Sequence, residues 1–344
     1  MKTLKKKFGV LKDGTAASLY VLENKNGMQA ALCDYGATVV SVLVPDKNGL
    51  LQDVVLGYED AASYEKGEVF FGACVGRNAN RIAGAQFTIG ETCYTLTKND
   101  GENANHSGRD FTNKRLWNVT RFADNTVTFE LKSPHLDQGF PGSAVITVTY
   151  TLTEENELKI RYEAQADADT IFNMTNHSYF NLDGSPDILK HEVTIFADAF
   201  TPTDAASIPT GEICPVGGTP MDFRTPKMIG ADIDSGFIQL VQAGGYDHNW
   251  VIRGEGLRKA AVLCSRVSGI RMQVFTDLPG MQFYTGNFIG EENGKNGKIY
   301  RRRAGACFET QYFPDAVHHD SFKSTIRKAG ETYDTTTSYK FDIR

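Results

Sequence analysis

The sequence has no excess of basic charge. Its 36 lysines and arginines are outnumbered by 42 aspartates and glutamates, so the formal net charge is −6. Nucleic acids and anionic membrane surfaces both attract basic proteins. We therefore expect neither of them as a main partner of this chain.

Long hydrophobic runs are lacking as well. No uncharged apolar stretch approaches the roughly 20 residues that a membrane-spanning helix needs. The basic N-terminal segment 1–10 is not followed by the apolar stretch of a signal peptide. We therefore expect no membrane partner and a cytoplasmic location.

Cysteine is scarce and scattered. The six cysteines form no CxxC pair and no zinc-binding spacing, and a chain of this length can bury enough surface to fold without disulfides or a metal. Most of them lie in apolar, strand-like contexts, which favours buried free thiols. They are Cys33, Cys74, Cys93, Cys214, Cys264 and Cys307.

Three common catalytic signatures are missing. The sequence contains no nucleophile elbow, no dinucleotide-binding glycine fingerprint and no P-loop. The remaining candidates for chemistry are carboxylates, histidines, amides, arginines and aromatic rings. These are the groups that bind sugars.

The dominant pattern in the chain is alternation of apolar and polar residues. Residues 146–152 and 158–164 alternate on either side of a turn at 154–157, which predicts an antiparallel hairpin. Residues 270–274 alternate in the same way. Helical periodicity is scarce, and only segments 60–66 and 226–229 are predicted as short helices. With no linker or repeat between strands, we predict an all-β fold, one large antiparallel β-sandwich over residues 1–344 with few short helices.

Two short segments could carry acid–base chemistry. In an extended chain, His177 shares a face with Thr175 and Tyr179, and Glu309 shares a face with Cys307. A histidine and a carboxylate can each give and take one proton. The alternatives are a structural histidine held by a neighbouring hydroxyl and a glutamate on an exposed strand edge.

A third segment, Gly76–Ile82, combines Arg77 and Arg81 with Asn78 and Asn80. Guanidinium groups and amides suit vicinal hydroxyls. The glycine spacing does not fit a phosphate-binding loop. The alternative is a surface loop.

Three further polar residues stand in contexts that could form part of a cleft. They are His106 in a polar loop, Asp247 between aromatic residues and Gln282 on a strand face opposite apolar neighbours. The alternatives are a polar turn, a solvated acid and an exposed strand face. The pair His318 and His319 suggests a metal at first, but adjacent residues of an extended segment point apart, so we predict no metal site there.

Together these segments resemble the galactose mutarotase (aldose 1-epimerase) family. The similarity extends over nearly the whole chain, with seven motifs in the family's order. They are Gly76–Ile82, Asn105–His106, Lys114–Trp117, Thr175–Leu182, Tyr246–Trp250, Gly280–Asn287 and Phe308–Pro314.

The resemblance implies a β-supersandwich with an open sugar cleft and a set of roles. His177 is the implied general acid and Glu309 the implied general base. Residues implied to hydrogen-bond the sugar hydroxyls are Asn80, Arg81, His106, Tyr179, Asp247 and Gln282. The chain departs from the family at Asn105, which is usually apolar, and at 107–110, where paired glycines are usual.

The implied reaction is the interconversion of the anomers of a free hexose such as D-galactose or D-glucose. Glu309 removes the proton of the C1 hydroxyl, His177 protonates the ring oxygen, and the open chain rotates about C1–C2 before closing. Nothing is oxidised, so no cofactor is expected. Because imidazoles titrate near roughly pH 6.5, we expect negative charge from Asp247 or Glu309 to raise the pKa of His177.

Three alternatives remain open. One is an epimerase of a phosphorylated hexose, with Arg109 or Arg301–Arg303 holding the phosphate. The second is a non-catalytic sugar-binding protein on the same fold. The third is a glycosidase that pairs Asp247 with Glu309. The partner that we expect is a small-molecule aldose. The sequence leaves open whether the protein is a monomer or a homodimer.

Overall fold

A computed structural model describes residues 2–109 and 112–344 of the chain, and β-strands dominate these ranges. In chain order, the strands are β1 (Lys2–Val10), β2 (Ala16–Glu23), β3 (Gln29–Cys33), β4 (Thr38–Pro45), β5 (Leu51–Asp53), β6 (Ala73–Val75), β7 (Arg81–Ile82), β8 (Gln86–Ile89), β9 (Thr92–Thr95), β10 (Ala104–Asn105), β11 (Asn118–Ala123), β12 (Thr126–Ser133), β13 (Ala144–Leu152), β14 (Glu157–Ala166), β15 (Thr170–Ile171), β16 (Thr175–His177), β17 (Tyr179–Phe180), β18 (Glu192–Ile195), β19 (Ala197–Thr201), β20 (Cys214–Pro215), β21 (Lys227–Met228), β22 (Asp247–Ile252), β23 (Arg258–Cys264), β24 (Ile270–Thr276), β25 (Gly280–Tyr284), β26 (Glu292–Asn293), β27 (Ile299–Tyr300), β28 (Ala306–Gln311), β29 (Ile326–Arg327) and β30 (Tyr333–Ile343).

Helix is confined to short pieces in the described ranges. The α-helices are α1 (Ala61–Lys66) and α2 (Ile238–Ala243). Single 3-10 turns occupy Ala83–Ala85, Thr112–Lys114, Ile229–Ala231, Lys295–Gly297 and Ala316–His318. None of the helices among the described residues is long and apolar enough to cross a membrane.

The helix predicted over residues 60–66 is confirmed. Asp60 is its N-cap, and the carboxylate accepts a hydrogen bond of 2.8 Å from the backbone N–H of Ser63. The helix predicted over residues 226–229 is wrong. Lys227 and Met228 instead form β21, because the edge of β18 offers backbone hydrogen bonds that four residues could not replace with a helical turn.

Three antiparallel sheets form most of the molecule, as the alternating pattern predicts. The largest has nine strands in the order β11-β12-β13-β14-β30-β24-β23-β18-β21. A six-stranded sheet has the order β17-β28-β25-β22-β19-β20, and a five-stranded sheet runs β1-β2-β3-β4-β5. The predicted all-β architecture with few short helices is confirmed.

The predicted hairpin is formed by β13 and β14. Tyr150 pairs with Ile160 and Ile146 with Ala164, so the apolar members of each strand share one face. That face is buried in the largest hydrophobic cluster, whose burial stabilises the fold at roughly 25 cal/mol per Å² of apolar surface. The cluster draws on all three sheets, for example through Leu22 and Phe283.

Strand β28 places one face against this core and the other toward a cleft. Phe308 belongs to the core cluster. The hydroxyl of Thr310 hydrogen-bonds that of Thr337 in the nine-stranded sheet. Because side chains alternate along a strand, Cys307 and Glu309 face the opposite side. The candidate functional site lies on that side.

Candidate active site

Glu309 lies in the middle of the six-stranded sheet. Its strand β28 is flanked by β17 and β25, and its pairing partner on β25 is Gln282. The residue is only 2% exposed. The alternative of a glutamate on an exposed strand edge is therefore wrong, and the sequence was right to treat this carboxylate as unusual.

His177 ends the short strand β16 and lies beside Glu309. The distance between His177 Nε2 and Glu309 Oε2 is 3.6 Å. The other ring nitrogen, Nδ1, is 3.4 Å from the sulfur of Cys307. Two segments 132 positions apart in the sequence are thus brought together as a buried acid–base pair.

A cleft of about 230 Å³ opens over this pair. Pockets for drug-sized ligands hold roughly 300–1,000 Å³, so the cleft is sized for a single sugar ring. Seven of the eight predicted site residues line it: Asn80, Arg81, His106, His177, Tyr179, Asp247 and Glu309. Asn105 and Tyr284, which belong to the sequence motifs, also line the cleft, and so do five residues that the sequence did not single out: Glu68, Val69, Phe70, Phe288 and Ile289.

Gln282, the eighth predicted residue, does not line this cleft. Its amide Nε2 donates a hydrogen bond of 2.8 Å to the Asp247 carboxylate, and its Oε1 accepts one of 3.4 Å from Gln311. Only 4% of the residue is exposed. The amides of Gln311 and Gln282 therefore form a hydrogen-bonded chain that orients Asp247 from the side away from the cleft.

Burial shifts the proton affinities of the acid–base pair in opposite directions. Desolvation lowers the pKa of His177 to about 4, an effect that its own backbone carbonyl partly offsets. Desolvation also raises the pKa of Glu309 well above its usual value, with Asp247 adding to the rise and Arg81 opposing it. The expectation that negative charge would raise the pKa of His177 is wrong, because desolvation dominates and neither carboxyl group contributes to the shift.

These shifts favour a single proton held between the two side chains. A pair with one proton carries little net charge in its neutral form, which suits a buried site. The proton can reside on Glu309 or on the imidazole, and the two groups titrate as a unit.

His106 is held as one tautomer. Its Nδ1 accepts a hydrogen bond of 3.1 Å from the backbone N–H of Asn80. Burial, then the charges of His177 and Arg81, lower the pKa of His106 well below its usual value. The neutral ring must therefore carry its proton on Nε2, which makes Nε2 a hydrogen-bond donor.

This tautomer bears on metal binding. One atom from each of His106, His177 and Glu309 lies within 4.8 Å of the others, close enough to surround an ion. A metal on Nε2 of His106 needs an unprotonated Nε2 and a proton on Nδ1. The Asn80 N–H occupies Nδ1, so this trio does not fit a resident metal ion.

Arg81 and Arg77 have different surroundings. The Arg81 guanidinium lines the cleft and contacts the Asp100 carboxylate at 2.7 Å. Arg77 is 1% exposed, and its guanidinium donates to Ser133 and to the carbonyls of Pro141 and Gly142. The alternative of a surface loop is wrong for Arg77, which holds two loops together.

Ser107, one of the residues at which the chain departs from the family, holds the loop after His106 in place. The Ser107 hydroxyl accepts a hydrogen bond of 2.8 Å from the N–H of Asn78 and donates one of 3.0 Å to its carbonyl. Both His106 and Ser107 have positive φ angles, 49° and 72°. Asp110, the last residue of this departure from the family, lies outside the described residues.

The segment near His318 supports the site through its backbone. The Asp315 N–H donates to the Arg81 carbonyl at 3.0 Å, and its carboxylate accepts from the N–H of Ala83. His318 Nδ1 lies 2.6 Å from the same carboxylate, and His319 Nε2 lies 3.6 Å away. Both histidines are partly exposed, and the cluster of possible metal ligands among the described residues, His106, His177 and Glu309, does not include them.

Aromatic rings enclose His177. Phe70 stacks on it with centroids 5.6 Å apart, and Tyr179 packs at 5.0 Å. Tyr284 meets both His177 and Tyr179 edge to face. The sequence signal for Tyr284 was its place in the motif Gly280–Asn287, whereas nothing near Phe70 in the sequence points to the site.

A larger cavity of about 460 Å³ lies apart from this pair. Two of its charged groups, the buried Lys295 and the half-buried Asp53, bind each other at 2.7 Å. It contains no histidine, so the smaller cleft is the better candidate for acid–base chemistry.

Comparison with known proteins points to one family. A family model for aldose 1-epimerase matches residues 18–340. Bovine galactose mutarotase is 43% identical over 92% of each chain, and the aldose 1-epimerase of Escherichia coli is 36% identical over 96% of each.

Solved structures of the same family have the same fold. An aldose epimerase homologue from C. elegans superimposes with a TM-score of 0.90 at 32% identity, covering 95% of this chain and 99% of its own. Galactose 1-epimerase of Lactobacillus acidophilus gives 0.89 at 30% identity, covering 100% and 99%. These relatives, similar in sequence and in fold, are named as mutarotases or epimerases of aldoses. This chain belongs to the aldose 1-epimerase family.

Proposed function

We propose that the protein is an aldose 1-epimerase that interconverts the α and β anomers of free hexoses such as D-galactose and D-glucose. The observation that carries the proposal is the His177–Glu309 pair, 3.6 Å apart in a cleft sized for one sugar ring. An acid and a base on one substrate are what ring opening requires.

The reaction balances with one proton on the pair. Glu309 takes the proton of the C1 hydroxyl while His177 Nε2 gives its proton to the ring oxygen, and the C1–O5 bond breaks. The aldehyde then rotates about C1–C2. On closure Glu309 returns its proton to O1, and Nε2 of His177 takes back the proton from O5. No electron leaves the sugar, so the scheme uses no cofactor.

The other cleft residues bind the hydroxyls in this proposal. The Asp247 carboxylate and the Nε2–H of His106 offer an acceptor and a donor, and Arg81 adds a fixed positive charge. Asn80 and Tyr179 line the same cleft. Gln282 acts through Asp247, which it hydrogen-bonds.

The charges of the cleft weigh against a phosphorylated hexose. Arg81 faces three lining carboxylates, those of Glu68, Asp247 and Glu309. The three arginines of the run 301–303 have partners outside the cleft. Arg301 pairs with Glu291 and Arg303 with Asp234, and Arg302 donates a hydrogen bond to the carbonyl of Gly244. Such a lining offers a dianionic phosphate little positive charge, because Arg81 is already paired with Asp100.

Polarimetry tests the proposal. Freshly dissolved α-D-galactose and α-D-glucose should relax to their anomeric equilibria far faster with the protein, and glucose 6-phosphate should be a much poorer substrate. Acceleration with the phosphate ester alone would favour the phosphorylated-hexose epimerase. Release of nitrophenol from a nitrophenyl glycoside would favour a glycosidase. Sugar binding without acceleration would favour a sugar-binding protein.

We further propose that residues 1–344 form a single domain, which acts as a monomer or homodimer in the cytoplasm. All six cysteines are free, in keeping with a reducing compartment. Sedimentation velocity would give the oligomeric state. Coincident urea transitions by circular dichroism and by the combined fluorescence of Trp117 and Trp250 would support one domain.

A further inference from the structure

The two nitrogens of the His177 ring face different surroundings. Nε2 faces the cleft and Glu309, whereas Nδ1 lies 3.4 Å from the sulfur of Cys307. Cys307 is fully buried and stands two residues before Glu309 on the same face of β28. Among the side chains of the described residues, this thiol is the hydrogen-bonding contact of Nδ1, and the backbone carbonyl of His177 itself is the other acceptor beside the ring.

The proposed reaction demands a proton on Nδ1 at every stage. As an acid, the ring is an imidazolium, which carries protons on both nitrogens. After Nε2 has given up its proton, it must stay free to take the proton of O5 on the return. The neutral ring must therefore keep its proton on Nδ1, and a buried N–H needs an acceptor.

The aromatic neighbours cannot select this arrangement. Phe70 and Tyr179 pack against the ring faces, with interplanar angles of 27° and 32°. Such packing fixes the plane of the ring. It does not distinguish the edge that carries Nδ1 from the opposite carbon edge, so a polar contact at the ring edge has to do so.

A thiol suits this position. Burial, together with Glu309 and Asp247, raises the pKa of the Cys307 thiol well above its usual value, so the group is neutral. A neutral thiol accepts hydrogen bonds only weakly. The thiol can therefore orient the ring. Unlike a carboxylate, it does not stabilise the imidazolium, so the Nε2–H stays acidic enough to be donated.

We propose that Cys307 is a positioning residue whose sulfur accepts the Nδ1–H of His177 throughout the reaction and so keeps Nε2 directed at the sugar ring oxygen. The sulfur forms no covalent bond and exchanges no proton. The inference rests on the proposed roles of His177 and Glu309.

Kinetics of three variants test the inference. Cys307→Ala removes the acceptor and should lower kcat by roughly 3- to 10-fold, the factor that one hydrogen bond supplies. KM should stay within about twofold, because the sulfur does not touch the sugar. Cys307→Ser keeps an acceptor and should retain more kcat than Cys307→Ala.

Cys74→Ala is the matched control. Cys74 is equally buried, on the strand that pairs with that of His177, and its side chain belongs to the core cluster. Its truncation removes the same atoms and should cost stability but leave kcat unchanged. Equal losses of kcat in Cys74→Ala and Cys307→Ala would assign both to general loosening of the core and overturn the inference.

Nitrogen-15 NMR reports the tautomer of the His177 ring, which would not change if Cys307 only filled space in the core. The His177 signals, assigned by their loss in His177→Asn, should show the Nδ1–H tautomer in the wild type and a mixed or Nε2–H form in Cys307→Ala. An unchanged tautomer together with unchanged kcat would overturn the inference. A wild type that does not accelerate mutarotation would instead overturn the proposed function, while the tautomer still tests the contact between Cys307 and His177.

Discussion

Glu309 and His177 share one buried environment that acts on them in opposite directions. Desolvation favours the protonated carboxyl and the neutral imidazole, which is the state reached when the sugar ring has opened. The site therefore stabilises the middle of the proposed reaction rather than its beginning. Substrate hydroxyls must supply the polarity that returns the proton to His177.

The pH dependence of activity follows from these two shifts. Catalysis needs one proton on the pair. Because the pKa of His177 is lowered to about 4, the second proton binds only in acid, and because that of Glu309 is raised, the shared proton is lost only well above its usual range. We expect kcat/KM to show no acid limb above about pH 5. Polarimetry corrected for buffer catalysis measures this, and an acid limb near pH 6.5 would contradict the lowered pKa of His177.

A variant of Gln282 tests whether this residue positions Asp247, the proposed acceptor for a sugar hydroxyl. Gln282→Met removes the 2.8 Å hydrogen bond to Asp247. We expect KM to rise by roughly 3- to 10-fold, the worth of one hydrogen bond, with kcat nearly unchanged. Gln273→Met, on β24 and outside the cleft lining, is the control. A fall in kcat at constant KM would place Gln282 in the chemistry instead.

At the scale of elements, one face of β28 organises the site. Cys307 contacts His177, Glu309 is the proposed base, and Gln311 reaches Asp247 through Gln282. The alternation that buries Phe308 on the other face fixes this arrangement. A one-residue register slip would bury the wrong face, so the sheet itself specifies the geometry.

The loop that carries His106 depends on Ser107. Ser107→Ala removes both hydrogen bonds to the Asn78 backbone and leaves a buried N–H and carbonyl without their partner. We expect a loss of about 1–3 kcal/mol in the free energy of unfolding and a raised KM. Urea unfolding and polarimetry measure the two effects. The exposed Ser143→Ala should change neither, and a Ser107→Ala variant with normal stability would show that the two hydrogen bonds contribute little.

Local sequence patterns predicted some elements and missed others for identifiable reasons. The β13–β14 hairpin and the N-cap of α1 depend on neighbouring residues, so alternation and one capping aspartate sufficed. Helix α2 has six residues and no side-chain cap, so it leaves too little pattern to detect. Arg77 was misjudged because its partners lie more than fifty residues away in the chain.

At the scale of the molecule, burial of neutral histidines makes stability depend on pH. Desolvation lowers the pKa of four of the seven histidines: His106, His177, His191 and His248. Below about pH 6.5 the unfolded chain binds protons at these sites and the folded chain does not. Each such histidine therefore contributes a loss of stability as the pH falls. Carboxyls whose pKa desolvation raises, such as those of Asp34 and Asp277, act in the opposite sense.

His248 isolates this effect because the proposed reaction does not use it. Its burial lowers its pKa to about 3, and its Nε2 has no hydrogen-bond partner. In His248→Phe the free energy of unfolding should fall less steeply with acidification, by up to about 1.4 kcal/mol per pH unit between pH 6.5 and 4. Urea unfolding at several pH values measures the difference. Parallel curves for wild type and variant would contradict the lowered pKa.

Much of the whole-molecule picture was accessible from the sequence. Alternation predicted the all-β class, and motif order predicted the family and seven of the residues that line the cleft. The positions of Gln282 and Phe70 were not accessible. Whether a strand residue faces a ligand or supports a neighbour depends on cross-strand partners that alternation does not reveal.

The central claim is that His177 and Glu309 exchange one proton each with the sugar. Polarimetry of α-D-galactose with Glu309→Gln and His177→Asn tests it most directly. Each variant should stay folded, as judged by its circular dichroism, and lose at least about two decades of kcat. Near-normal turnover in folded Glu309→Gln would contradict the claim.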